Sequence, residues 1–275
     1  MEKRVLIAIP AFNEAKNIEQ VLSSVTNYKD NVVVINDGSV DDTLQLIKKM
    51  GVNVVSHKKN QGLSAVYRTL FDYAGKHGYS HMATFDADGQ HETSSLPKFI
   101  DLLNDFDFVA GNRFHSLNEI PDCKLASNFF ATLLTQITFG VTMPDISCGF
   151  RAMKFNGSFN NLQSSHFGVI YEMLFRQINN NKNIGIINIP AKYDLSVPLT
   201  TKTREIIDLI AEVMKHNPLP GLKQIIDDIS FGHDFGIELL GHDFNGTYID
   251  HSNYRFSTDI TKAKMFYKDN FISKY

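Results

Sequence analysis

The sequence predicts an α/β fold: a mostly parallel central sheet flanked by helices, with a small appendage at the C-terminal end. Three observations lead there. Apolar runs of strand length alternate with segments of helical periodicity four times in about the first ninety residues, the signature of a parallel sheet with right-handed crossovers. The runs are apolar at consecutive positions, as expected of strands buried on both faces. Each run also ends in a polar cluster, which sets the chemistry-bearing residues along the rim where such sheets bind ligands, outside the carboxyl ends of the strands.

The first strand, residues 4–9, ends at Pro10-Ala11-Phe12-Asn13-Glu14, and Ile18, Val21, Leu22 and Val25 then recur at helical spacing. A second strand over 32–35 leads through the turn Asn36-Asp37-Gly38-Ser39 into a helix over 40–50, for which Ser39 and Asp42 have capping-box spacing. A third strand, 52–56, passes through His57-Lys58-Lys59-Asn60-Gln61-Gly62 into a helix over 63–76. The fourth strand, 81–85, delivers Asp86-Ala87-Asp88-Gly89-Gln90-His91. Beyond it the pattern predicts a strand over 106–111 and a helix over 122–139, with Leu125, Phe129, Ala131, Leu133 and Leu134 available for burial. It continues with a helix opening at Tyr171, a strand over 184–190 and a helix over 205–215.

His216-Asn217-Pro218-Leu219-Pro220-Gly221 breaks the pattern, so the expected organisation is a domain over 1–215 and an appendage over 216–275. In the appendage Gly232-His233-Asp234-Phe235 is echoed by Gly241-His242-Asp243-Phe244, and Asn245-Gly246 is a hairpin signal. His233, His242 and His251 with Asp234, Asp243 and Asp250 lack zinc-like spacing. The many aromatics after Phe231 mark a segment that packs or binds something.

In an extended backbone alternate side chains share a face, so Asp86, Asp88 and Gln90 converge. Their oxygens suit a hard divalent ion such as Mg²⁺ or Mn²⁺, of the kind that neutralises substrate phosphates. The same residues also make an ordinary acidic turn after a buried strand. Four polar clusters on one rim, Asn13-Glu14, Asn36-Asp37-Gly38-Ser39, Lys58-Lys59-Asn60 and the acidic set, favour a site for a nucleoside diphosphate and its metal. No GxGxxG follows the first strand and there is no Walker A motif, so a Rossmann dinucleotide site and a P-loop are excluded.

Composition narrows the class further. Apolar residues are 43% of the chain and charged ones 21%, which supports a packed core. A net charge of -3 gives no general electrostatic case for nucleic acid. Cys123 and Cys148 form no pair or framework, which fits a reducing compartment. No segment reaches the roughly 20 apolar residues of a spanning helix; residues 129–143 are interrupted by Thr132, Thr135, Gln136, Thr138 and Gly140. The expectation is a cytoplasmic protein, at most peripheral to a membrane.

Ile9-Pro10-Ala11-Phe12-Asn13-Glu14, Asn36-Asp37-Gly38-Ser39, Asn60-Gln61-Gly62 with Ala65, and Asp86-Ala87-Asp88-Gly89-Gln90 resemble, in order and spacing, the signature of family 2 glycosyltransferases of the GT-A fold. Asp145-Ile146-Ser147-Cys148-Gly149-Phe150-Arg151 and Gly111-Asn112-Arg113 resemble the branch of dolichyl-phosphate mannose and glucose synthases and their bacterial polyprenyl-phosphate relatives. The likeness spans roughly residues 3–200. It implies metal-dependent, inverting transfer of a sugar from a UDP- or GDP-sugar, with polyprenyl phosphate as the leading acceptor. The alternative acceptor is a hydroxyl on a glycan, a protein or a modified nucleic acid. A non-catalytic nucleotide-sugar binder would be marked by loss of the acidic pair, and both aspartates are present.

By the same resemblance Pro10, Ala11, Glu14 and Asp37 hold the nucleoside, with Gly38, Ser39, Asn60 and Gly62 on the same side. Asp86 and Asp88 engage the nucleotide sugar and the metal, and Gln90 completes the metal shell. Arg113 and Arg151 face phosphate groups, a task that suits a guanidinium fork. Asp145 is the base that a hydroxyl acceptor would need, or else a cap after Pro144. The synthases commonly carry a basic residue near a serine after the strand at 184–190; this chain offers Ser196, Thr200, Thr201, Lys202 and Arg204 in a looser arrangement.

Overall fold

Seven strands form one sheet, in the spatial order β3 (Asn53–Ser56), β2 (Val32–Asn36), β1 (Val5–Ala11), β4 (His81–Thr84), β6 (Arg151–Lys154), β5 (Phe108–Asn112) and β7 (Ile184–Asn188). The computed structural model describes residues 3–117, 120–155, 159–190, 192–193, 203–216, 237–240, 255–258 and 260–272. The chain divides into two units, Met1–Arg113 with Cys148–Lys192 and Phe114–Ser147 with Tyr193–Tyr275.

In chain order the first unit contains β1 (Val5–Ala11), α1 (Ile18–Ser24), β2 (Val32–Asn36), α2 (Thr43–Lys49) and β3 (Asn53–Ser56). It continues with α3 (Leu63–Lys76), β4 (His81–Thr84), α4 (Leu96–Leu102) and β5 (Phe108–Asn112). After α5 (Asp122–Phe139), which belongs to the second unit, the first unit closes with β6 (Arg151–Lys154), α6 (Gly168–Asn179) and β7 (Ile184–Asn188). Strands β3, β2, β1 and β4 run parallel, as the alternation predicts. Residues 6–11 of β1 and all of β2 are buried, which is why these runs are apolar at successive positions. The edges differ: β3 and β7 are partly exposed, and Ile186 on β7 is uncovered.

Two features depart from the sequence reading. First, β1 runs through Pro10 to Ala11, two residues past its expected end. The ladder with β4 stops at Ala8 paired with Thr84, so Pro10 lacks its N–H where no strand of β4 requires it. Second, β6 inserts antiparallel between β4 and β5, with Ala152 opposite both Ala83 and Val109. Four residues with a cation at each end carry too little periodicity to announce a strand; pairing on both sides makes it one. The core on one face of the sheet gathers Ile7, Ile9, Val32, Val34, Phe85, Phe99 and Phe150. Phe150 stacks on Phe99 with ring centres 4.1 Å apart and leans on Phe85 at 5.3 Å.

The second unit contains α5, α7 (Thr203–His216), β8 (Ile237–Leu240), β9 (Arg255–Thr258) and α8 (Ile260–Tyr267), which runs into a π-helical turn over Lys268–Ile272. Leu125, Phe129, Ala131, Leu133 and Leu134 of α5 are buried, as expected. Strands β8 and β9 pair antiparallel. The repeated Gly-His-Asp-Phe segments, the Asn245-Gly246 signal, the His and Asp set and the break at 217–221 lie outside the described residues. Among the described residues no helix is long and apolar enough to cross a membrane.

Replacing the fully buried Phe150 by Ala removes an aromatic from the centre of this core. We expect Phe150→Ala to destabilise the protein by about 3–5 kcal/mol, read as a lower midpoint in urea unfolding; a loss under about 1 kcal/mol would contradict this packing.

Candidate active site

Parallel pairing puts the carboxyl ends of β1, β2, β3 and β4 side by side, with Ala11 opposite Asn36 and Asn36 opposite Ser56. The residues that follow enclose a cavity of about 300 Å³. Pro10, Ala11, Glu14, Asp37, Asn60, Gly62, Asp86 and Asp88 all line it, together with Phe12, Leu63, Val66 and Ala87. Eight residues that the sequence assigns to nucleotide or metal are thus brought together in one place.

One wall hangs on Asp37. Its Oδ1 accepts from the amide of Gln61 at 2.9 Å and lies 2.6 Å from His57 Nδ1, and its Oδ2 accepts from the amide of Gly62 at 2.8 Å. His57 Nε2 in turn meets Thr69 Oγ1 of α3 at 2.9 Å. Gly38, at φ +69, allows the turn to approach this loop: a Cβ there would stand 2.4 Å from the carbonyl carbon of Lys59.

The capping box expected at Ser39 and Asp42 does not form, because α2 begins only at Thr43 and Asp42 makes no side-chain cap bond. Instead Ser39 Oγ accepts from the amide of Asn13 at 2.9 Å, and the Thr43 amide donates to Asp41 Oδ1 at 3.1 Å. Thr43 Oγ1 accepts from the amide of Glu14 at 2.7 Å. The Ser39 hydroxyl, which local spacing assigned to a helix end, is used across elements together with that of Thr43, to fix the loop after β1.

The acidic pair sits on the opposite wall. A Cβ on Gly149 would stand 2.4 Å from Asp86 Oδ2, so only glycine there lets the carboxylate lie where it does. His91 Nε2 is 3.4 Å from the same oxygen, with its ring edge-on to Phe150. Asp88 Oδ1 accepts from the amide of Gln90 at 2.9 Å, and the Gln90 carbonyl accepts from the amide of Lys192 at 3.0 Å. Burial works against ionisation of Asp86, but the hydrogen bond and charge of His91, then the charges of Arg113 and Arg151, hold its carboxyl below the usual range. Asp88 is pushed up, by burial and then by the charge of Asp86. Glu14 is raised as well, chiefly by burial, with Asp88, Asp86 and Asp41 adding repulsion against the opposing bond from Asn17.

This crowding bears on a divalent ion. Among the described residues no three of His, Cys, Asp and Glu converge closely enough to hold one by themselves. Mg²⁺-type ions that act on phosphates need no such cage; one or two carboxylates, waters and the phosphates themselves complete the shell. Asp86 and Asp88, with Glu14 beside them, fit an ion of that kind.

Residues 6–159 match the sequence model of Glycosyl transferase family 2, more than half of the chain. The protein belongs to that family. It is similar to the UDP-N-acetylglucosamine–dolichyl-phosphate N-acetylglucosaminyltransferase of Methanococcus voltae, at 27% identity over 70% of this chain and 87% of that one. It is also similar to the polyprenol monophosphomannose synthase of Mycolicibacterium smegmatis, at 26% identity over 74% and 79%. Among solved structures, glucosyl-3-phosphoglycerate synthase from Mycobacterium tuberculosis, in complex with Mn²⁺, UDP and phosphoglyceric acid, shares the fold with a TM-score of 0.64. That likeness covers 94% of this chain and 87% of the other at 18% identity. The protein is a glycosyltransferase of the GT-A fold, in the branch with relatives named for dolichyl and polyprenyl phosphate.

The remaining expected residues of the glycosyltransferase are placed differently. Gly38, Ser39 and Gln90 hold the cavity from behind through their main chain or hydroxyl. Arg151, at 1% exposure, donates Nε to the Cys148 carbonyl at 2.7 Å and Nη1 to the Ile170 carbonyl, and lies over the Phe108 ring at 5.6 Å. Its charge reaches Asp86, as does that of Arg113. Asp145 is buried and belongs to the second unit. Ser196, Thr200, Thr201 and Lys202 lie outside the described residues, and of Arg204 only the backbone, in α7, is described. The sequence reading gave no role to Thr43, His57, Thr69, His91 or Gly149. His57 and His91 could have been picked out, since both sit directly beside rim clusters; nothing local marks Thr69 or the contact of Gly149.

Three outcomes follow from the acidic wall. A carboxyl whose pKa rises on folding adds stability below its unfolded value, and that contribution is lost as pH climbs through the raised one. Ionised Asp88 therefore costs stability near neutrality, and Asp88→Asn should melt higher than the parent at about pH 7, with the gap closing as the pH falls into the carboxyl range. Mn²⁺ with UDP or GDP should raise the parent's melting temperature and leave that of Asp88→Asn nearly unmoved. Gly149→Ala should weaken metal-dependent nucleotide binding in calorimetry as strongly as Asp86→Ala does; undiminished binding would mean that the Asp86 carboxylate does not depend on the glycine.

Proposed function

We propose that this glycosyltransferase moves a sugar, with inversion, from a UDP- or GDP-sugar to a polyprenyl phosphate, using Mg²⁺ or Mn²⁺ at Asp86 and Asp88. The observation that carries the reading is the cavity itself. A loop tied to Asp37 on one side faces a crowd of carboxyls on the other, two of them raised toward the neutral form. That arrangement has unmet negative charge beside room for a nucleotide, and it is complete only with a cation and its phosphates. The family supports the donor, and the names of the relatives support the acceptor.

In this reading Pro10, Ala11, Asp37, Asn60 and Gly62 seat the nucleoside, and Glu14 borders the phosphates. Asp86 is held toward its ionised form, while Asp88 resists ionisation until a cation offsets its charge, so binding tightens as pH rises through the raised Asp88 value. The ion, when bound, supplies Lewis-acid neutralisation of the departing diphosphate. Arg113 offers a planar fork to the acceptor phosphate, and Arg151 acts from behind through its field on Asp86. A phosphate acceptor is already anionic near neutral pH and needs no base; a hydroxyl acceptor would need one, and Asp145 is then the group. The work is thus positioning for in-line attack, at the surface of a membrane that holds the lipid.

Arg113→Lys keeps the charge that Asp86 senses but loses the fork. We expect donor binding to hold and the KM for farnesyl phosphate, used as a short polyprenyl phosphate, to rise about tenfold, the scale of a lost charge-assisted hydrogen bond. Products are identified by mass spectrometry with UDP-glucose, UDP-N-acetylglucosamine and GDP-mannose as donors. Sugar appearing only on hydroxyl acceptors, and stopped by Asp145→Asn, would replace the lipid reading.

A further inference from the structure

The second unit contains a buried stretch of irregular backbone that its own segment does not satisfy. Met143, Pro144, Asp145 and Ile146 are all buried, yet belong to no helix or strand. Buried backbone polar groups must find partners, and here side chains supply them. Thr132 Oγ1 donates to the Met143 carbonyl at 3.0 Å, Asn128 Nδ2 to the Pro144 carbonyl at 2.6 Å, and the Ile146 amide to Asn128 Oδ1 at 3.0 Å. Those two residues lie on α5, just before the stretch. The third partner comes from far along the chain: Tyr267 of α8 donates its hydroxyl to the Pro144 carbonyl at 3.0 Å and accepts from Asn128 Nδ2.

The ring of Tyr267 does a second job. It is fully buried, stacks on Phe114 with centres 5.4 Å apart and leans at a tilt on Phe271 at 5.5 Å, while its neighbour Phe266 meets Phe129 edge-on at 5.1 Å. Phe114 directly follows Arg113 in the chain, and Pro144 directly precedes Asp145. One side chain therefore grips the neighbours of both residues assigned to the acceptor, and it lies more than a hundred residues past the segment that matches the family.

We infer that Tyr267 is a positioning residue for the acceptor side of this glycosyltransferase. From the C-terminal helix its hydroxyl holds 143–146, and with it Asp145, while its ring braces Phe114 beside Arg113. The inference rests on the acceptor reading of Arg113 given above; Asp145, the base of the alternative hydroxyl acceptor, enters it as part of the stretch that the hydroxyl holds. It makes the last helix a working part of the transferase: donor binding, built from β1 to β4, is independent of it, and sugar delivery depends on it.

The test uses the full-length chain with Tyr267→Phe, which deletes only the hydroxyl, and Tyr267→Leu, which also deletes the stack. Hydrogen exchange followed by mass spectrometry should show peptides over 141–148 exchanging roughly tenfold faster in Tyr267→Phe, with β1 and β4 unchanged. Tyr267→Leu should extend the loosening to 113–117. Mn²⁺-dependent binding of UDP and GDP should stay within about twofold of the parent in both variants, while in Tyr267→Leu the KM for farnesyl phosphate rises as it does in Arg113→Lys. In Tyr267→Leu, unchanged exchange at 113–117 and 141–148, or faster exchange with unchanged transfer, overturns the positioning role; an equal loss of nucleotide binding overturns it too, as a general effect on the fold. If Tyr267→Leu leaves exchange and transfer alone while Arg113→Lys impairs transfer, the acceptor reading survives and this inference fails. Should the parent transfer nothing to farnesyl phosphate, the acceptor reading itself fails, and the positioning role with it.

Discussion

The carboxylate of Asp37 is the interaction on which one wall of the cavity depends. It follows β2 and accepts from two amides of the loop before α3, with His57 at its flank. Hydrogen bonds to a charged group contribute about 1.5–3 kcal/mol each, and a buried amide left without its acceptor costs a comparable amount. A loop containing Lys58, Lys59, Asn60 and Gly62 has no regular structure to hold it; one side chain does so instead. The bond from His57 to Thr69 then ties that loop to α3, the longest helix of its unit.

Across the cavity the logic is reversed. Asp37 is satisfied, whereas Glu14, Asp86 and Asp88 repel one another, and two of them are pushed toward the neutral form. Asp86 stays ionised because His91, Arg113 and Arg151 surround it with opposite charge. The fold thus favours the charge on one carboxyl and disfavours it on its neighbour, at a cost in stability of the kind that functional sites carry. Gly149 sets the geometry: the chain just before β6 passes so near Asp86 that a side chain on Gly149 would displace the carboxylate.

The second unit shows a different solution to the problem of buried irregular backbone. Around Asp145 the main chain is satisfied by an amide side chain, a threonine and a tyrosine, the last from the far end of the sequence. Such buried polar networks specify one arrangement because every member must be paired.

Much of this was legible in the sequence because it is local. Strand length, apolar continuity and helical spacing are properties of neighbouring residues, and they placed α3 and α5 to the residue and the parallel strands to within two. Polar clusters after strands pointed to the rim, and Glu14, Asp37, Asn60, Asp86 and Asp88 from those clusters line one cavity, joined by Pro10, Ala11 and Gly62, which the family resemblance added. What the sequence could not decide depends on distance in space. Ser39 and Asp42 have capping spacing, yet Ser39 reaches Asn13, because the turn is folded against the loop after β1. Arg151 belongs to a recognisable motif, yet β6 points its guanidinium at the Cys148 and Ile170 carbonyls. The sequence by itself determined the parallel α/β architecture and which residue types meet at its rim, since periodicity and chain order are enough for that. Only the tertiary structure decided which carboxyl stays charged, which glycine must be a glycine and which tyrosine steadies Asp145, since each depends on atoms within a few ångströms that lie tens to more than a hundred residues apart.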